Sequence, residues 1–218
     1  SGLNGGGEIL IGGNYLGKGP EPNAAVTVIL GGAEITADAL ESGDGGRVIV
    51  WSDDYTNFSG SITARGSSEG DGGFVETSSK NNLQAFGSVK ASGGISGGTW
   101  LLDPANVEIV SGSSNTNISG SNLFTPSGTN AEIGVTNIVS ALEGGNDVYI
   151  TTQNSDESQP GNITVSAAIS SSNSGSRELV LFASEDITVN ADITATNNKI
   201  NGIHNYQLKN FCVRAINK

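Results

Sequence analysis

The chain repeats itself at a fixed interval. The stretch "GSITARG" (Gly60–Gly66) returns 27 residues later as "GSVKASG" (Gly87–Gly93). The same offset aligns Gly45-Gly46-Arg47-Val48 with Gly72-Gly73-Phe74-Val75, each preceded by Gly-Asp, and it aligns Ile35, Ile62 and Val89, followed by Ala37, Ala64 and Ala91. A second repeat, offset 24, matches "NITVSAAI" (Asn162–Ile169) to "DITVNADI" (Asp186–Ile193). Upstream of these two lie "DVYITTQ" from Asp147 and "ELVLFAS" from Glu178, which are 31 apart, so the polar stretch around "DESQPGN" reads as an inserted loop. A period of this size identifies a repeat architecture, in which each unit buries its apolar face against its neighbours.

Inside a unit the pattern alternates. In "SITAR", Ile62 and Ala64 face one side, while Ser61, Thr63 and Arg65 face the other. Period two over a short run is a half-buried strand, and the Gly-rich flanks oppose a helix. Units of 24–27 residues with two or three short strands each predict coils of an all-β parallel β-helix, with loop insertions. Equivalent residues then stack about 4.8 Å apart, and Ile35, Ile62 and Val89 form one internal column. An open βαβ sheet would need crossover helices. The best helix candidate is "TNIVSALEGG" (Thr136–Gly145), expected as one short helix or turn on the outside of the solenoid.

Composition narrows the function classes. Gly supplies 32 of 218 residues, about twice ordinary usage, which suits tight corners. The net charge is −12, which opposes a nucleic-acid partner, since phosphate binding needs a basic face. All 22 acidic residues precede Lys199, whereas the last 20 residues hold four basic and no acidic groups, together with the only His (His204) and the only Cys (Cys212). One Cys excludes an intramolecular disulfide, and no apolar run approaches the roughly 18 residues of a membrane span, so no membrane insertion is expected. Residues 1–198 therefore read as the β-helix. Residues 199–218 read as an atypical basic tail, a truncation product or a cap in which Ile200, Ile203, Leu208, Phe211 and Val213 cover the last coil.

Several motifs then fall into place together. "GGRVIVWSDDYTNFSGSITARG" (Gly45–Gly66), "GDGGFVETSSK" (Gly70–Lys80) and "GGTWLLDPANVEI" (Gly97–Ile109) occur in order, with "IGGNYLGKGPEPNAAVTVI" upstream and "VYITTQ…GNITVSAAI" downstream. Over about residues 5–196 the chain resembles filamentous-haemagglutinin-like exoproteins, large bacterial surface or secreted adhesins, many exported by two-partner secretion. The resemblance implies a right-handed parallel β-helix, a structural or adhesive role without catalytic residues, and a location outside the cell. It implies host-cell or matrix glycans or proteins as partners, and an outer-membrane transporter for the full-length protein. The Asn-Pro motifs of the family's secretion domain are absent from this sequence, so the piece corresponds to shaft.

Candidate sites are few. Asp44 and Asp71 stack at one offset in Gly-rich turns and are weak calcium candidates, although the full calcium-binding nonapeptide is missing. No other metal and no cofactor is expected. Trp51 with Tyr55 would make a glycan platform if both project outward, and packing at a coil corner otherwise, as for Trp100. Asp53, Asp54, Arg65 and Glu69 share one coil, and their convergence would favour the alternative reading, a polysaccharide-active lyase or hydrolase or a glycan-binding β-helix. His204 has no evident partner. The insertions Asn14–Asn23, Ser111–Asn130 and Thr152–Asn162 are the loops expected to touch partners.

Overall fold

The computed structural model describes residues 1–112, 131–152, 159–172 and 177–195 in full, and the backbone of 118–119, 125–126 and 203–205. The chain winds into a parallel β-solenoid whose coils stack as three walls. Wall A holds Glu8–Ile11, Arg47–Val50, Phe74–Thr77, Thr99–Leu102, Asp147–Thr151, Leu179–Ala183 and Ile203–Asn205, in that order. Wall B runs Val26–Ile29, Tyr55–Phe58, Asn82–Ala85, Ala131–Gly134, Val107–Val110, Ile163–Val165 and Ile187–Val189. Wall C holds Glu34–Thr36, Ser61–Thr63 and Ser88–Lys90, then Ile169–Ser171 and Ile193–Ala195. All pairings within the walls are parallel.

The register follows the sequence repeat. Arg47 pairs with Phe74 and Val48 with Val75, Ile35 with Ile62 and Ile62 with Val89, and Ile163 with Ile187. Ile62 and Val89 are buried in the core, and Ile35 packs against it. Wall A contributes two further inward columns: Val48, Val75, Trp100, Val148 and Leu179, then Val50, Thr77, Leu102, Ile150 and Leu181. Trp100 is the largest of these. Its Nε1–H donates to Thr77 Oγ1 at 3.0 Å, and its ring meets Phe58 edge-on at 6.4 Å. Each such side chain contributes about 1.5–3 kcal/mol through burial.

The corner between walls C and A explains why the repeat couples Ala to Gly-Gly. Ala37, Ala64 and Ala91 are fully buried at the ends of wall C. The Gly46 N–H donates to Ala37 O at 2.8 Å, and the Gly73 N–H is shared between Ala64 O and Ala91 O, both at 2.9 Å. A Cβ on Gly46 would lie 2.7 Å from Ala37 O, so the backbones meet too closely for any side chain.

The helix lies elsewhere than expected. Val135–Glu143 does not ride on the outside. Its Ile138, Ala141 and Leu142 are buried in the core, and the helix stands in wall C between Ser88–Lys90 and Ile169–Ser171. A helix is about 10 Å across with side chains, which equals two strand spacings. Between the coils that flank the helix, wall A has one strand, Thr99–Leu102, and wall B has two, through an inversion of order: Val107–Val110 runs one level ahead, and Ala131–Gly134 returns to fill the gap beside Asn82–Ala85. Asn146 locks the arrangement. Fully buried, it accepts the Ala91 N–H at 2.8 Å and donates to Val89 O and Ala141 O at 3.2 and 3.0 Å.

Candidate functional site

Alternation along wall A puts a second set of side chains outside. Leu10, Ile49, Glu76, Leu101, Tyr149 and Val180 pair in sequence across six strands and form one outward row, apolar but for Glu76. Such a row on a solvent face would be costly. Here the insertion Asn14–Asn23 lies down over part of it as a strap.

The strap is docked by specific contacts. Tyr15 meets Phe74 edge-on at 5.8 Å, and the Arg47 guanidinium lies 5.1 Å from the Tyr15 ring, a cation–π stack. The Leu16 N–H points at both carboxylate oxygens of Glu76, at 3.2 and 3.3 Å. Gly17 sits against the Trp51 indole, where a Cβ would clash. Asn23 Nδ2 donates to Gly17 O and to Asp53 Oδ1, both at 3.0 Å. Within the strap Asn14 donates to Glu21 at 2.7 Å. Leu16 adopts φ +54°, a left-handed conformation unfavourable for a branched side chain.

Glu76 is wholly buried beneath this strap. Burial pushes its carboxyl up to about 7, against the Leu16 amide, the Ser78 hydroxyl and Arg47, which favour the charge, and with Asp103, which opposes it. Beside the strap opens a groove of about 550 Å³, with Leu101, Tyr149, Val180 and Phe182 as apolar lining and Lys18, Asp103 and Thr151 as polar groups. The Tyr149 hydroxyl is raised by burial and by the charges of Glu178 and Asp147. The groove can hold an extended, partly apolar segment. Glu76 is sealed beneath the strap and does not line the groove, whereas the mostly buried Asp103 does.

The residues singled out from sequence fall in other places. Trp51 and Tyr55 do not form an outward glycan platform; both are packed, the other arrangement expected of Trp51. Trp51 is 2% exposed under the strap, its Nε1–H donating to Asp53 Oδ1 at 3.2 Å. Tyr55 is fully buried, its hydroxyl accepting from Asn57 Nδ2 at 3.2 Å, and burial raises it to about 12. Asp44 and Asp71 serve the stacking. Asp44 Oδ1 accepts the Asp71 N–H at 2.8 Å, and Asp71 Oδ1 accepts the Ser96 hydroxyl at 2.7 Å. The same device recurs one coil apart where Asp38 accepts the Arg65 N–H, Asp147 the Glu178 N–H and Asn162 the Asp186 N–H, at 2.7–2.9 Å. Among the described residues no group of three or more His, Cys, Asp or Glu gathers as metal ligands.

Asp53, Asp54, Arg65 and Glu69 do not converge. The first two lie at the corner between walls A and B, bound to Trp51, Asn23 and Asn81. Arg65 lies past wall C and forks onto Asp38 Oδ2 at 3.0 and 2.6 Å. Glu69 is exposed nearby. Of the other insertions, 113–117, 120–124, 127–130 and 153–158 lie outside the described residues. The far end of the second loop is pinned where Asn106 Oδ1 accepts the Gly161 and Asn162 amides at 2.9 and 2.7 Å. In the tail, Ile203–Asn205 adds the seventh strand of wall A, pairing with Leu181–Ala183. Ile200, Leu208, Phe211, Cys212 and Val213 lie outside the described residues, as do the side chains of Ile203 and His204.

No protein-family model matches this chain, and no curated protein matches it.

Proposed function

We propose that the chain is a non-catalytic structural and adhesive segment of a secreted or surface-exposed bacterial protein of the filamentous-haemagglutinin-like type. The observation that supports this most is the contrast between the two sides of wall A. Inward columns keep their character from coil to coil: Val48, Val75, Trp100, Val148 and Leu179 are all apolar. The outward column Glu8, Arg47, Phe74, Thr99 and Asp147 changes charge and size at every step. Constant inward columns beside an outward column that changes at every step suit a shaft that carries contact surfaces.

The mechanism is geometric. Seven strands of wall A span six spacings, about 29 Å of rigid rod. Its sides present the groove and the loops to host-cell or matrix glycans or proteins, while its negative charge keeps the rod soluble. In this reading the full-length protein leaves the cell through an outer-membrane transporter.

A second reading has one observation in its favour. Glu76 and Asp103 share a wall beside an open groove, and burial holds the Glu76 carboxyl near 7, as a general acid requires. The strap covers Glu76, the group that would have to give up the proton, which favours the first reading. The chain, incubated with a panel of host and bacterial polysaccharides, should yield no new reducing ends or unsaturated products, and surfaces coated with it should retain host cells. Released sugar products would replace the adhesive reading with an enzymatic one. Absence of both products and retention would remove both.

A further inference from the structure

We propose that the Asn14–Asn23 strap is a proton-linked cover, lying down on wall A when Glu76 carries a proton and lifting more readily when Glu76 is ionised. This concerns the strap's own equilibrium and does not depend on which partner the rod meets.

The geometry supplies each part of such a device. The strap departs from wall A just after Gly12, at φ +75°, and bends within itself at Gly19, at +151°, backbone conformations that glycine adopts without strain. Its centre is strained at Leu16. What it covers is unlike the rest of the wall: Ile49 and Glu76 are fully buried and Trp51 nearly so, although all three lie outside the core cluster. Lifting the strap would expose Ile49, Phe74 and the Trp51 indole, and would extend the groove along the outward row.

The switch is Glu76 and what faces it. From wall A come the Arg47 guanidinium and, at the next corner, the Asp103 carboxylate, with the Ser78 hydroxyl beside them. From the strap comes the Leu16 amide. The strap's other ionisable side chains are Tyr15, stacked on Phe74, Lys18, which lines the groove, and Glu21, which is bound by Asn14. The Leu16 amide, the Ser78 hydroxyl and the Arg47 guanidinium together do not make up for the water lost by a buried carboxylate with Asp103 nearby. Ionisation therefore penalises the closed state and leaves the open one unaffected.

The sign and size follow from linkage. In the closed state Glu76 titrates near 7, whereas in the open state it meets water and titrates near its ordinary 4.5. Closed strap thus holds more protons, and opening grows as pH rises between the two values, by about 70-fold from pH 5 to pH 8.

The test is hydrogen exchange by mass spectrometry on the intact chain at both pH values, with rates corrected for intrinsic chemical exchange. The strap peptide containing Leu16 is compared with the peptide containing Phe74–Thr77. Acrylamide quenching of tryptophan fluorescence follows Trp51 in parallel, since Trp100 is sealed in the core. The strap peptide should open tens of times more at pH 8, with quenching rising to match, and Glu76→Gln should remove most of that dependence. Tyr15→Ala, which weakens the docking stack but keeps the titrating group, should raise opening at both pH values and keep their ratio. A wild-type ratio below threefold would overturn the proposal. So would a ratio that persists in Glu76→Gln, or, should that variant fail to fold, a Tyr15→Ala ratio near one.

Discussion

Gly73 offers a sharp test of how the coils are held, because the molecule contains its own control. Gly7, Gly46, Gly73 and Gly98 occupy the same corner on successive levels. A Cβ on Gly73 would lie 2.5 Å from Ala64 O, 2.8 Å from Ala64 Cβ and closer still to Gly46 O. Ordinary contact begins near 3.4 Å, so two backbone segments must each give by close to 1 Å. Both are tied into ladders above and below. Overpacking of this kind costs about 1–3 kcal/mol, and backbone on both sides puts Gly73→Ala at the upper end. Part is offset, because alanine lowers the entropy of the unfolded chain by about 0.4–1 kcal/mol. The expected net loss is about 2–2.6 kcal/mol. A Cβ on Gly7, by contrast, meets no atom within 4 Å, so Gly7→Ala should be neutral or slightly stabilising. Guanidinium titrations followed by far-UV circular dichroism and by tryptophan fluorescence would read both variants. Gly73→Ala within 0.5 kcal/mol of wild type, or Gly7→Ala equally damaging, would refute the steric account of the Gly-Gly corner.

Three further outcomes follow from the packing. Ile138→Ala should lose about 2–5 kcal/mol by denaturant titration, because the helix is part of the core; a loss under 1 kcal/mol would return it to the outside. Asn146→Ala strips the side-chain partner from the buried Ala91 N–H and Val89 O, while Ala141 O keeps the Asn146 backbone N–H, and should cost about 2–3 kcal/mol, seen as a lower denaturation midpoint. Burial pushes the Asp38 carboxyl up, but its bonds with Arg65 outweigh this and hold it below the ordinary range, so its contribution is present at neutral pH and is lost as pH falls through that depressed value. Asp38→Ala should therefore lower the stability at pH 7 by about 1–3 kcal/mol, with a loss that shrinks as pH falls below the ordinary carboxylate range, and a loss that does not shrink would contradict the assignment.

Much of the solenoid was legible in the sequence, because the property that repeats is the one that stacks. Ile62 and Val89, or Ile163 and Ile187, keep the same place in each unit since each is the neighbour of the next. The offset of 27 is a direct reading of one coil. What could not be read was any feature set by a fold-wide constraint instead of a local pattern. The apolar face of Val135–Glu143 was visible, but its depth follows from a helix being as wide as two strands, and the strand inversion in wall B lies beside it. Asn146 gave no pattern, being a single residue that satisfies three backbone groups.

The strap was legible as an insertion, but its folding back onto wall A was not. Its partners are scattered: Arg47, Trp51, Phe74 and Glu76 come from two coils, and only the register brings them under Tyr15, Leu16 and Gly17. The one available signal was the outward row itself. Leu10, Ile49 and Leu101 are too apolar for a bare face, and such a row requires a cover. The choice between packing and projection for Trp51 was open in the sequence for the same reason, since its environment comes from the strap and not from its own strand. The paired acidic turns were visible at one offset, but a stacked Asp that accepts the next coil's amide reads the same in sequence as one that waits for an ion.

The in-register parallel stacking of coils is tested most directly by cross-linking. Thr63 pairs with Lys90 on adjacent strands of wall C, and Thr36 pairs with Thr63 one level earlier. In a Cys212→Ser background, Thr63→Cys with Lys90→Cys places two thiols on Cα atoms about 4.8 Å apart, within disulfide range. Thr36→Cys with Lys90→Cys places them two levels apart, about 9.6 Å, beyond it. Mild oxidation followed by mass spectrometry should show an intramolecular disulfide in the first pair and free thiols in the second. A bridge in the second pair, or none in the first, would contradict the stacking on which the account rests.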